Sequence, residues 1–346
     1  MTRIRSMVGR DRWARRMFGL RVDHGASSGR ALPKALCSPA PIRPRSRATN
    51  HRRMLGLRRV IACAVVVIAT LAPCAAEHRV QPKTSVDHPQ FAIRSLVLGD
   101  GAILAYYVRP GAAGQPMLVL VPETHGDRSQ FFEPSFLEKL PVSLGLVVIE
   151  SRGQGRSWPP PTPAQAKIER YASDVLEVVG VLRPPAWFVG GHSLGGMIAI
   201  EIAGRKPAGL RGVIALEGWA HSRVQRAAFP EITPRTEAQR VDARAQREER
   251  YRTQRWSADE VAALGQAWTK WTGGETILRE TTYPVLSVWG DRGRAVRPSR
   301  EELLLPDRSN VDLVWIAGSD HYVTDPPYAA EVGAAIAAFV ARHSPR

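Results

Sequence analysis

The chain has 346 residues, of which 44% are apolar and 23% are charged, and its formal net charge is +16. This composition is typical of a globular protein that buries a full core, which excludes a disordered or fibrous chain. The charge is uneven, because residues 1–76 carry 16 Lys and Arg against two acids, whereas residues 77–346 carry 32 basic and 30 acidic groups. The predicted folded part lacks the cationic excess of a nucleic-acid-binding protein, so no nucleic-acid partner is expected.

The N-terminal part of the chain has the pattern of an export signal. Met54 is followed by Arg58 and Arg59, then by an apolar run over 60–72, and then by Cys74 and two alanines. A helix of 13 residues spans about 20 Å, which is short of the roughly 30 Å of a bilayer core. We therefore predict a signal peptide over 54–76, export to the periplasm or the medium, and no stable membrane span in the mature form. The proline before Cys74 argues against lipoprotein anchoring.

Residues 1–53 are rich in Arg, Ser and Pro and have no apolar periodicity. We interpret them as a disordered basic extension that is not translated if Met54 is the true start; the alternative is a targeting extension. A polar linker over 77–90 follows the predicted signal peptide.

From residue 91, apolar runs of strand length alternate with helical patterns. Segments 91–98 and 102–109, joined by Gly99-Asp100-Gly101, predict a hairpin. Continuous apolar runs that are typical of buried parallel strands follow at 117–121, 144–150, 187–189, 212–217, 285–289 and 311–316. Helices are expected near 131–140 and over 163–182, 197–203 and 327–342. This alternation predicts an α/β fold with a mostly parallel, doubly wound sheet and an antiparallel hairpin at its edge.

Residues 221–280 interrupt this alternation with a charged helical pattern, and we predict a helical cap between two parts of the core at 91–220 and 281–346. Thr233 before Pro234, and Ser257 with Glu260, have the form of helix starts. The charge run is typical of a solvated helix face. Aromatic residues in this segment and just before it either line an apolar acyl pocket or, as we favour for most of them, hold the segment to the domain; they are Trp219, Tyr251, Trp256, Trp268 and Trp271.

The segment Gly191-His192-Ser193-Leu194-Gly195 has the form G-x-S-x-G between a predicted strand and a predicted helix. A sharp turn in this context exposes the serine oxygen and points the next backbone N–H, here that of Leu194, at a developing oxyanion. A glycine-rich turn needed only for close packing would have the same pattern. We favour Ser193 as a nucleophile, which requires a base. His321, in the loop after the last predicted strand, is the candidate that fits best.

With these motifs the chain resembles the α/β-hydrolase family from about residue 91 to 342. Residues 150–157 look like the family's D-x-R-G-x-G-x-S loop, and residues 318–321 resemble its final histidine loop. The resemblance implies a third catalytic residue, an acid. Where many members with a cap have it, in a W-G-x-x-D segment, this chain has Gly293, and Asp291 lies two residues earlier. Some relatives instead have the acid at the end of the sixth strand, where Glu217 stands. We favour Glu217 and keep Asp291 as the alternative.

The oxyanion loop also departs from the family's usual His-Gly, since the chain reads Pro122-Glu123-Thr124-His125-Gly126 there. Proline has no N–H to donate. The N–H of Glu123 or Thr124 is therefore expected to act with that of Leu194.

Together these residues predict a serine hydrolase that cleaves an ester-type bond of a small molecule through an acyl-enzyme intermediate. Alternatives are hydrolysis of an amide, a lactone or a carbon–carbon bond by the same residues, and a non-catalytic binder of the same fold. No cofactor or metal is expected, since all three cysteines precede residue 77 and no ligand cluster is evident. The oligomeric state does not follow from the sequence.

Overall fold

A computed structural model of the chain describes residues 88–124, 126–229 and 256–344. The predicted basic extension, the predicted signal peptide, almost all of the predicted linker, His125, Thr233 and Tyr251 lie outside the described residues. Within them, no helix combines the length and the hydropathy that crossing a bilayer requires.

Eight strands form one sheet in the order β1-β2-β4-β3-β5-β6-β7-β8. Their bounds are β1 Ala92–Val97, β2 Ile103–Arg109, β3 Met117–Val121, β4 Gly145–Ile149, β5 Trp187–His192, β6 Leu210–Leu216, β7 Val285–Gly290 and β8 Val311–Ile316. Strand β2 is antiparallel to both β1 and β4, and every other pairing is parallel. The prediction of a mostly parallel sheet with an antiparallel hairpin at its edge is confirmed.

The described helices are α1 Pro134–Leu137, α2 Ile168–Leu182, α3 Leu194–Gly204, α4 Val224–Ala228, α5 Ala258–Lys270, α6 Gly273–Glu280 and α7 Ala329–His343. Alternate residues of β3 point into two different apolar clusters, as period-2 side-chain geometry requires. Val119 and Val121 pack with α2 and α3, whereas Leu118 and Leu120 pack with α7. Helices therefore cover both faces of the sheet.

Two predicted helices differ from the structure. Instead of one helix near 131–140, a 3₁₀ turn at Arg128–Phe131 precedes the short α1, because Glu133 accepts from the N–H of Ser135 and starts a new helix at Pro134. The helix expected to begin at residue 163 begins at Ile168. Before it, the Thr162 hydroxyl donates to the Gln165 side chain 3.0 Å away, which stabilises a turn in place of the first helical residues.

The described part of the predicted cap segment contains α4, α5 and α6. Helix α5 begins at the helix start predicted from Ser257 and Glu260, which form a capping box because each side chain accepts from the other residue's backbone N–H. Helix α6 packs on α3, where the side chain of Ile277 occupies the space that a Cβ atom at Gly204 would need. This end of the segment is therefore held against the core.

Candidate active site

Ser193 lies in the sharp turn between β5 and α3, with φ 53° and ψ −112°, a strained conformation for a residue with a side chain. The turn is tight on both sides. A Cβ atom at Gly191 would lie 2.5 Å from the Val121 carbonyl oxygen, and one at Gly195 would collide with the same oxygen. The glycines of the G-x-S-x-G pattern are thus required by the close approach of β3. The Ser193 hydroxyl is buried and has no hydrogen-bond partner among the described residues.

Glu217 directly follows β6 and also has a positive φ, 51°. Its N–H donates to the Val288 carbonyl of β7 at 2.8 Å, which anchors the residue at the end of the sheet. Because β5 and β6 are parallel and pair His192 with Leu216, Ser193 and Glu217 follow neighbouring strands at the same sheet edge.

His321 lies in the loop after β8 and is fully buried. Its Nδ1 atom is 3.0 Å from Oε2 of Glu217. A carboxylate can only accept, so the proton of the neutral imidazole is on Nδ1 and the lone pair is on Nε2, which is the form that a general base needs. The structure thus brings together the predicted base and the favoured acid. It shows no hydrogen bond between the His321 ring and the hydroxyl of Ser193.

Asp291, the alternative acid, has other partners. Its Oδ1 atom accepts from the N–H groups of Gly293 at 2.9 Å and Gly318 at 2.7 Å, and its Oδ2 atom accepts from Arg297 at 2.8 Å. Although burial opposes it, these hydrogen bonds lower the pKa of Asp291 below its ordinary value. Asp291 joins the turn after β7 to the loop after β8, and Glu217 occupies the position beside His321.

Glu217 also has a partner that the sequence pattern does not predict, Arg292. The two guanidinium Nη atoms donate to the two carboxylate oxygens at 3.0 and 2.6 Å, and the N–H of Gly290 donates to Oε1 at 2.6 Å. Burial in the first place, and the positive charge of Arg292 in the second, lower the pKa of His321 well below its ordinary value.

The loop after β3 is connected to the other loops through Gln130. The N–H of Glu123 donates to Oε1 of Gln130 at 2.8 Å, and Nε2 of Gln130 lies 2.6 Å from Nδ1 of His192 and 3.1 Å from Oγ1 of Thr324. The other nitrogen of His192 lies 2.6 Å from the carbonyl oxygen of His321, so it is the protonated one. One hydrogen-bonded chain therefore joins the loops after β3, β5 and β8.

This network bears on the oxyanion prediction. Because the N–H of Glu123 already donates to Gln130, it is not available to an oxyanion in this conformation. Thr124 is buried, its hydroxyl has no hydrogen-bond partner among the described residues, and its N–H makes no backbone hydrogen bond there. Leu194 is the first residue of α3, where backbone N–H groups lack intrahelical acceptors. Leu194 and Thr124 are thus the better candidates.

A carboxylate oxygen of Glu123 and one ring nitrogen from each of His192 and His321 lie within 4.8 Å of one another, a spacing that a metal ion could bridge. The His192 nitrogens, however, are occupied by Gln130 and the His321 carbonyl. Burial lowers the pKa of His192 to about 3, so that it stays neutral. The cluster fits a hydrogen-bonded network better than a metal site.

Glu150, which stands at the acid position of the D-x-R-G-x-G-x-S-like loop, is fully buried and binds the chain around it. Its carboxylate accepts from the N–H of Arg156 at 2.7 Å, the N–H of Arg128 at 3.2 Å and the hydroxyl of Tyr107 at 3.2 Å. Burial raises the pKa of Glu150. These contacts give the loop a structural role.

Three of the four described aromatic residues that the sequence analysis singles out, Trp219, Trp256 and Trp271, contact neighbouring side chains or loops. Trp256 donates to the carbonyl of Gly153 at 2.7 Å, and Trp271 donates to Glu201 at 3.2 Å. Trp219 contacts Phe229, whose ring also meets that of His321 edge-on at 5.0 Å. A cavity of about 300 Å³ near the site is polar, and Glu123, Gln130 and Tyr322 are among its lining residues.

The profile of the Alpha/beta hydrolase family matches residues 118–345. With the strand order and the turn at Ser193, this match shows that the chain belongs to the α/β-hydrolase family.

Among curated proteins, the chain is similar to the "Putative carbamate hydrolase RutD" of Agrobacterium fabrum, with 30% identity over 102 residues, 30% of this chain and 38% of that protein. The match spans about two fifths of the curated relatives' length. Among solved structures, a bacterial membrane phospholipase A gives a TM-score of 0.55 at 20% identity, covering 73% of this chain and 86% of that one. The enol-lactonase of Burkholderia xenovorans gives a TM-score of 0.54 at 19% identity, and the match covers 71% of this chain and 99% of that one. At this identity the structural likeness shows the fold alone.

Proposed function

We propose that this protein is a serine hydrolase that transfers an acyl group from an ester-type substrate to water. The observation that carries the proposal is the hydrogen bond between His321 and Glu217 at the sheet edge where Ser193 stands in its strained turn. Membership of the family and the relatives named as hydrolases support the same conclusion.

In this mechanism Nε2 of His321 removes the hydroxyl proton of Ser193 while Oγ forms a bond to the substrate's carbonyl carbon. The N–H groups of Leu194 and Thr124 stabilise the oxyanion. The proton then passes from His321 to the leaving oxygen as its bond to carbon breaks. Water then attacks the acyl carbon while Nε2 of His321 takes a proton from it. That proton passes to Oγ of Ser193 as the bond between Oγ and the acyl carbon breaks, which releases the acid. Glu217 keeps the Nδ1 proton in place and stabilises the imidazolium.

Labelling with a fluorophosphonate tests the nucleophile. We expect the wild type to be labelled and Ser193→Ala and His321→Ala to be unlabelled in a folded protein. Ser173→Ala, which removes a hydroxyl from the outer side of α2, serves as a matched control and should be labelled like the wild type. A wild type that is not labelled would support the non-catalytic binder.

A panel of ester, lactone, amide and carbamate substrates, with Ser193→Ala as the blank, tests the bond type. Carbamates are included because of the name of the curated relatives. We expect turnover to be fastest with esters. Faster turnover of another class would replace the ester assignment and leave the serine mechanism intact.

Export is part of the proposal, on the basis of residues 54–76. N-terminal sequencing of the protein from a periplasmic or culture fraction should give a start close to residue 77. A mature protein that begins before Met54 would contradict both the start at Met54 and the signal peptide.

A further inference from the structure

Four donors surround the carboxylate of Glu217. Oε1 accepts from the N–H of Gly290 and from Nη1 of Arg292, and Oε2 accepts from Nη2 of Arg292 and from Nδ1 of His321. The side chains of Arg292 and Glu217 are 7% and 0% exposed, so this ion pair is shielded from solvent. A bidentate arginine contact fixes the plane of a carboxylate as well as its position.

The chain holds Arg292 in place from several sides. Its backbone has φ 57° in the turn after β7, and its N–H donates to the Ser319 carbonyl at 2.8 Å. Nη1 also donates to the Gly290 carbonyl at 2.6 Å. The guanidinium carbon lies 4.9 Å from the ring centre of Phe229, the residue whose ring meets that of His321.

We propose that Arg292 is a positioning residue of the active site, which fixes the orientation of the Glu217 carboxylate toward His321 and offsets its negative charge. This inference rests on the proposed serine hydrolase function. In this arrangement position 293, a glycine, supplies no acid, and the turn after β7 contributes the cation of Arg292 to the acid that follows β6.

The charge effect has a definite sign. A carboxylate on Nδ1 alone would favour the imidazolium and raise the pKa of His321. Arg292 opposes this, and together with burial it lowers the pKa of His321, so that Nε2 stays available as a base in mildly acidic solution. Among the described residues, other ionisable groups that lie beside the ring are His192 from β5, Glu123 from the loop after β3, and Tyr322, which follows His321 in the loop after β8. They are unchanged in an Arg292 variant, so the difference isolates the arginine.

The test compares Arg292→Gln, Arg292→Lys and the wild type between pH 4.5 and 8, with fluorophosphonate labelling rate, kcat and KM as readouts. Arg292→Gln removes the cation, so the acidic limb of kcat/KM should move to higher pH by about one unit. Arg292→Lys keeps the positive charge and loses the bidentate contact with Glu217. The acidic limb of its kcat/KM profile should lie at the same pH as that of the wild type, while kcat falls several-fold at unchanged KM. Arg297→Gln is the control. It removes another arginine of the same segment, one that pairs with Asp291 and not with Glu217.

Superimposable acidic limbs in the wild type and Arg292→Gln would overturn the charge effect, and an unchanged kcat in Arg292→Lys would overturn the positioning effect. If Arg292→Gln does not fold, the double variant Glu217→Gln/Arg292→Gln replaces it in a titration of His321 by NMR. The imidazole pKa should then lie above that of Glu217→Gln/Arg292→Lys, which keeps a cation at position 292, and equal pKa values in the two double variants would overturn the charge effect. A wild type that is neither labelled nor active refutes the proposed function itself, a result that is distinct from either of these.

Discussion

Nδ1 of His321 lies 3.0 Å from Oε2 of Glu217, although 104 positions separate the two residues in the chain. The contact forms because β6 ends at Leu216 and β8 ends at Ile316 on the same edge of a parallel sheet. The contact favours Glu217 over Asp291, the two candidates for the acid that the sequence leaves open.

The first prediction separates these two acids by activity. Glu217→Gln should lower kcat by about 10³- to 10⁴-fold, because the tautomer of His321 loses its support. Asp291→Asn should leave kcat close to that of the wild type, because its carboxylate binds backbone N–H groups and Arg297. Steady-state kinetics on a responsive ester decide between them. A large loss of kcat in Asp291→Asn, together with an unchanged kcat in Glu217→Gln, would reverse the assignment of the acid.

The second prediction concerns the pH dependence of stability. Because the pKa of Asp291 is lowered in the folded state, its contribution is present above the ordinary pKa of 3.8 and is lost as the pH falls through the folded value. The wild type should therefore unfold at a higher temperature than Asp291→Asn at pH 7, and the gap should narrow below about pH 4. Asp312→Asn is the control, because it breaks only a half-exposed pair with Arg342. A difference in unfolding temperature between the wild type and Asp291→Asn that does not change with pH would contradict this account.

The third prediction concerns Gln130. In Gln130→Leu the N–H of Glu123 and Nδ1 of His192 lose their partner, which should lower the free energy of unfolding by about 2 kcal/mol. Because the loops after β3 and β8 are then free to shift, kcat/KM should fall by about 10- to 100-fold. Gln266→Leu, on the exposed side of α5, should change neither quantity. Urea unfolding and ester kinetics measure both. Wild-type kinetics in folded Gln130→Leu would show that the network is not needed to align the site.

The fourth prediction compares two glycines. Gly195→Ala forces a methyl group against the Val121 carbonyl and should cost at least about 3 kcal/mol of stability. Gly180→Ala, on the exposed side of α2 with nothing within 4 Å of the new methyl group, should instead stabilise the protein by about 0.5 to 1 kcal/mol. Thermal unfolding of both variants tests the pair, and a stable Gly195→Ala would mean that β3 does not approach the turn this closely.

The sequence predicts the sheet well because each buried strand is a continuous apolar run of neighbouring residues. It predicts the turn at Ser193 because the glycines that the turn requires lie within two residues of the serine. Glu217 could be proposed as the acid because some members of the family that the sequence resembles have the acid at the end of the sixth strand. The contact between Arg292 and Glu217 could not be predicted, since it joins residues 75 positions apart by a side-chain fork that leaves no spacing pattern. The contact between the Glu123 N–H and Gln130 could not be predicted for a different reason: the loop has no periodicity from which the direction of a side chain could be inferred.

The attachment of Glu217 to the end of β6 has an evolutionary consequence. The sheet fixes the position of a carboxylate that directly follows a strand. The connection from β7 to β8 therefore does not have to provide the acid. Beyond Arg297, insertions and deletions in that connection can accumulate without displacing the partner of His321. Homologues that keep a glutamate at this strand end should therefore vary more in the length of the β7–β8 connection than homologues that carry the acid on it.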